Sequence, residues 1–153
     1  MLRISRLTDY ATVILASLGG GNLASAADIA DRTHIGLPTV SKLLKELQHA
    51  GLVHSVRGAH GGYQLARPVA EINAAEIIDA VEGPVALTEC AGGAGNCDLE
   101  ATCLVGQGWQ RISRAIRRAL VGVSLEELVR REAPFATPDL TRIAGPVRTP
   151  VRG

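Results

Sequence analysis

Apolar side chains recur at spacings of three and four along most of the chain, and each run ends at a recognisable stop. Within residues 5–18, Leu7, Ala11, Ile14, Leu15 and Leu18 share one face before Gly19-Gly20-Gly21 intervenes, which predicts an amphipathic helix with a flexible exit. Ser25, with Asp28 three residues on, offers an N-cap to a short helix over 26–33 whose Ile29 and Ala30 face inward. After a turn at Gly36, Pro38 suits the first position of a third helix, and Val40, Leu43, Leu44 and Leu47 make its apolar stripe. Thr39, Ser41, Lys42 and Lys45 are left on its outer face. Two strand-like runs, 52–56 and 62–66, are joined by Arg57-Gly58-Ala59-His60-Gly61, a hairpin with a basic tip. Asn73 and Glu76 form a capping box for a fourth helix with Ile77, Ile78 and Val81 inward, ended by Gly83-Pro84. Farther on, Trp109, Ile112, Ile116, Leu120 and Val123 repeat close to the heptad average, which predicts a long helix with a dimerising seam. Ser124 and Glu127 cap a short terminal helix to about Arg131, and Pro134, Pro138, Gly145, Pro146 and Pro150 predict a tail without order.

The fold class is therefore mainly α with a small β-hairpin wing. Residues 1–83 form a winged helix-turn-helix with its wing at 52–66, 84–104 a cysteine loop, 105–131 a dimerisation helix with a short terminal helix, and 132–153 a disordered tail. A helix, a tight turn and a second helix with short polar and basic side chains near its start can enter a major groove. Glycines beside an arginine let a hairpin approach phosphates or a narrow minor groove. Contacts to double-stranded DNA are expected from Pro38, Thr39, Ser41, Lys42 and Lys45 on the helix and from Arg57, Gly58 and His60 in the wing.

Composition sharpens this in three places. A chain of 153 residues with 46% hydrophobic content can bury the core of one domain without disulfides. The net charge of +1 hides an asymmetry: residues 1–67 carry seven Lys/Arg against four acids, a net +3, while 68–132 carry six against ten, a net −4. Four aromatic residues in the whole chain argue against base-stacking recognition of RNA or single strands. No secretory signal and no apolar run of membrane length are seen, so the expected location is the cytoplasm, with no membrane partner.

Cys90, Cys97 and Cys103 are the only cysteines, and all lie in one glycine-rich stretch. Three glycines and two acids between the outer two make a poor core, so the thiols read as ligands for soft metal or an iron–sulfur cluster. Zinc held by three thiolates and a carboxylate, or a thiol-redox switch, is the competing reading. His34, His49, His54 and His60 are not grouped at metal spacing. A thiol enzyme or electron carrier is disfavoured, because the Cys-x-x-Cys spacing is absent and a ferredoxin needs four cysteines on one chain. No catalytic residue and no small-molecule substrate are expected. Arg111, Arg114, Arg117 and Arg118 beside the seam read as a solvated face.

Leu7-Thr-Asp-Tyr10, Leu37-Pro-Thr-Val-Ser-Lys-Leu-Leu44, Gly51-Leu-Val53, Ser55-Val-Arg-Gly-Ala-His-Gly-Gly-Tyr63 and the cysteine triplet together resemble the Rrf-two family of winged-helix regulators, IscR- and NsrR-like, over residues 1 to about 131. Glu82-Gly-Pro-Val-Ala-Leu-Thr-Glu-Cys90 and Trp109-Gln-Arg-Ile112 are most similar to members regulating the SUF system of iron–sulfur cluster assembly. The resemblance implies a homodimer, joined through Trp109, Ile112, Ile116 and Leu120, on a pseudo-palindromic operator. It further implies a repressor whose DNA affinity follows an iron–sulfur cluster between the long helices. IscR-like members place a histidine three residues after the last cysteine, where this chain has Gly106; the resemblance instead offers Asp9, donated from the other protomer, as fourth ligand. Six residues separate Cys90 from Cys97 where five are usual. A 4Fe–4S cluster is preferred to 2Fe–2S.

Overall fold

Ser5, extended and just ahead of the first apolar stripe, accepts the Thr8 amide on its hydroxyl and opens α1 (Arg6–Ser17) in the computed structural model, which describes residues 4–84 and 105–130. Two further helices follow the pattern of the sequence, α2 (Ala26–Thr33) and α3 (Leu37–His49), separated by His34 in a left-handed conformation. Pro38 is the second residue of α3, one later than expected, where its missing N–H still costs no helical hydrogen bond. Ile14 and Leu15 of α1, Ile29 of α2 and Val40, Leu43, Leu44 and Leu47 of α3 are all fully buried against one another. Each such aliphatic side chain contributes about 1.5–3 kcal/mol of transfer free energy, which makes this three-helix centre the main source of cohesion.

The hairpin is β1 (Val53–Val56) and β2 (Gly62–Leu65), antiparallel in the register Val53↔Leu65 to Val56↔Gly62, one residue shorter per strand than the sequence pattern. Two glycines are demanded here by close approach. A Cβ on Gly61 would lie 2.2 Å from the Val56 carbonyl oxygen, and one on Gly62 would lie 2.7 Å from that of Ala24. Ala24 is that close because it and Tyr63 exchange both backbone hydrogen bonds, at 3.0 and 2.8 Å, so the segment leading into α2 forms a third rung of the hairpin.

After a 3-10 turn (Val69–Glu71) comes α4 (Ala74–Glu82), which packs on α1, α3 and α5 (Gly106–Val121). The expected seam ran to Val123, but α5 stops at Val121. The chain turns at Gly122 so that the Val123 carbonyl accepts the Ala74 amide at 2.9 Å and the Leu125 amide donates to Ile72 at 2.7 Å. That return plants Leu125, the first residue of α6 (Leu125–Val129), wholly in the core. Arg130 is already extended, so α6 ends short of Arg131. The three cysteines and the proline-rich tail lie outside the described residues.

Candidate nucleic-acid interface

The core stripe of α3 fixes which side of that helix faces water. With Val40, Leu43, Leu44 and Leu47 inward, Lys42 and Lys45 are exposed and Thr39 and Ser41 half-buried. The N-terminus of α3 differs from those of α1, α2, α4 and α6: Gly36 supplies no side-chain cap and the first turn holds no acid. Its positive dipole end therefore has no compensating side chain, while Pro38 has no amide and the Thr39 and Val40 amides already donate to the Gly36 carbonyl at 2.9 and 3.1 Å. Beside Pro38, Leu37 remains 46% exposed, an apolar contact surface that sequence reading passed over because the residue continues a hydrophobic pattern. Lys42 lies 3.8 Å from Glu46 one turn on, while Lys45 has no ion-pair partner among the described residues.

Arg57, Gly58 and His60 are all exposed at the hairpin tip, closed by the Gly61 amide donating to the Gly58 carbonyl at 3.0 Å. Arg57 pairs with no described acid. Arg67, counted with the basic half, is committed elsewhere: it donates to Glu76 at 2.7 Å and to the Glu71 carbonyl at 3.2 Å. Burial alone would raise the Glu76 carboxyl, but Arg67, the Asn73 amide and the charge of Arg117 together hold it below the ordinary range. Arg117, expected on a solvated face, lies 2.6 Å from Asp79 of α4.

Asp9 is exposed in the first turn of α1 and lines an open groove of about 930 Å³ with Ile4, Ile77, Leu120 and Leu128. The same turn is held by a residue that sequence reading missed. Glu82, the last residue of α4, accepts the Ser5 amide at 2.9 Å and the Thr8 hydroxyl, and these bonds, Thr8 first, keep its carboxyl below the ordinary range. Glu82 lies eight residues before Cys90, and α5 begins three residues after Cys103. Among the described residues no three His, Cys, Asp or Glu gather as a metal site.

The seam residues are open in the single chain. Trp109 is 41% and Ile112 46% exposed, Ile116 and Leu120 are half-buried, and only Gly106 and Ser113 of α5 are buried. No described helix is long and apolar enough to cross a membrane.

The Rrf2 family, described as iron-dependent transcriptional regulators, matches residues 4–131. The chain belongs to this family. Among its Rrf2 relatives, ORF2 of Azotobacter vinelandii, named for an HTH-type transcriptional regulator, is 44% identical over 107 residues, 70% of this chain and just 65% of that protein. The HTH-type transcriptional regulator IscR of Cereibacter sphaeroides is 34% identical over 138 residues, covering 86% of this chain and 89% of the relative. Among solved structures, CymR, the global cysteine regulator of B. subtilis, is similar with a TM-score of 0.63 and 31% identity, over 84% of this chain and 96% of that one. The Rrf2 chain is thus a DNA-binding transcriptional regulator with a winged-helix fold, and not an enzyme.

Proposed function

We propose that this regulator acts as a homodimer on a pseudo-palindromic operator and represses genes of iron–sulfur cluster assembly, SUF-type genes first among them, in response to a cluster held by Cys90, Cys97 and Cys103. The observation that carries the reading is where those cysteines fall. They occupy the segment between α4, which packs on the outward-reading α3, and α5, whose apolar seam is open. A change in that segment therefore bears on both the DNA-reading body and the dimer contact. Pro38, Thr39, Ser41, Lys42 and Lys45 read the major groove in this proposal, while Arg57, Gly58 and His60 follow phosphates or the minor groove.

The donor set fits iron: three soft thiolates from one chain, and Asp9 of α1, exposed and accessible, as the carboxylate donated across the dimer. Bound there, the cluster would supply an oxidisable, thiolate-held iron centre, and 4Fe–4S suits this set better than 2Fe–2S. The protein's own part is mechanical: Glu82 ties the root of the cysteine segment to the turn that carries Asp9.

Anaerobic purification with a visible spectrum and iron and sulfide analysis, followed by DNA binding with and without the cluster, tests the reading. Asp9→Ala is expected to keep the fold but lose the cluster faster, with an altered spectrum; unchanged spectra and cluster lifetime would remove Asp9 from the site. A second reading replaces the cluster by zinc or a thiol switch, favoured by the same three-thiolate, one-carboxylate set and by similarity to a regulator named for cysteine. Zinc without sulfide in protein prepared under strict exclusion of oxygen would select it.

A further inference from the structure

Two ion pairs meet on one face of α4. Glu76 and Asp79 are three residues apart on that helix, and each is held by an arginine from a different part of the molecule. Arg67, two residues beyond β2, binds Glu76 at 2.7 Å; Arg117, in the second half of α5, binds Asp79 at 2.6 Å. The row runs cation, anion, anion, cation, from the foot of the wing to the dimer helix. Asp79 also borders a hollow shared with Lys45 and His49 of α3, so this part of α4 is the wall between the DNA-reading helix and α5.

The pairs are half-exposed, so each adds little to stability. What they add is geometry, because a guanidinium on a carboxylate fixes direction as well as distance. For α5 that matters, since its only buried residues are Gly106 and Ser113 and its apolar hold on the rest of the chain is shallow. We infer that Arg117, Asp79, Glu76 and Arg67 form a positioning relay, in which Arg117 sets α5 against α4 and Arg67 sets the wing against the same helix. A change in how α5 is held then reaches the wing and α3 as a reorientation.

The inference rests on the cluster-dependent reading above, and the test separates the two. Protein reconstituted with iron and sulfide is compared with stripped protein for affinity to the DNA fragment that it footprints, at fixed salt. In Arg117→Gln and in Asp79→Asn the ratio of the two affinities is expected to shrink about fivefold or more towards unity, with iron content and dimer mass unchanged. The reversed pair, Asp79→Arg with Arg117→Asp, is expected to restore it, and Arg114→Gln, which removes the same charge from the same helix, to leave it alone. A ratio equal to wild type in Arg117→Gln, or no recovery in the reversed pair, overturns the relay. A wild-type ratio of unity overturns the cluster reading instead, and amide exchange then decides the relay: Arg117→Gln is expected to speed exchange at Tyr63 and Ala66, whose amides donate to Ala24 and Leu52 at 2.8 and 3.0 Å, and unchanged rates there overturn it.

Discussion

Which arginines and lysines are available matters more to this protein than how many it has. Arg67 and Arg117 are tied to Glu76 and Asp79, whereas Arg57 and Lys45 project without a described acidic partner. Sequence counting treats these cations alike, because an ion pair between residues 38 apart leaves no local trace. If Arg57 neutralises one phosphate, Arg57→Ala weakens operator binding and makes the plot of log affinity against log salt shallower by about 0.9. Titrations at several salt concentrations check this, and an unchanged slope places Arg57 off the duplex. Arg67→Ala serves as contrast: its charge is already engaged by Glu76, so the salt slope stays near wild type.

Three of the six helices among the described residues start by one rule. Ser25 with Asp28, Asn73 with Glu76, and Ser124 with Glu127 are closed capping boxes, and all three were legible because their partners lie three residues apart. α1 has Ser5 as its N-cap but Thr8 where the box needs an acid, and Glu82 completes it from 77 residues away. That contact is invisible to periodicity, as is the end of α5, where the pairing of residues 72–74 with 123–125 overrides the heptad spacing that pointed to Val123. The proposal of Asp9 as a ligand rests on family resemblance alone, since a solvated carboxylate on an amphipathic helix has no distinguishing local pattern. The Glu82 cap has a pH signature. Its folded carboxyl titrates below the ordinary range, so its contribution is complete above that range and drains away as pH falls through the lowered value. Thr8→Val is accordingly expected to destabilise the protein by about 0.5–1 kcal/mol near neutral pH, with the deficit shrinking in acid. Urea unfolding of both proteins across the acid limb measures it, and a deficit independent of pH assigns the loss to packing instead.

Taken as one body, the described residues present two unfinished surfaces, the outward face of α3 with the hairpin tip and the seam of α5. Closing the second with another copy would bring two copies of the first onto one side of a duplex, about one helical turn or a multiple of it apart. Ile112→Glu places a charge in the open seam and is expected to shift sedimentation from dimer to monomer and to weaken operator binding in step; a variant that remains dimeric with full affinity locates the contact elsewhere. The shared backbone rung between Ala24 and Tyr63 adds a constraint of its own. It bolts the hairpin to the lead-in of α2, so in the proposed docking the helix probe and the wing probe travel as a single calliper of set span. Such a calliper measures the helical repeat as well as the letters of its operator, and one base pair inserted between its two footholds should abolish occupancy outright, whereas a pliant joint would lose it by degrees.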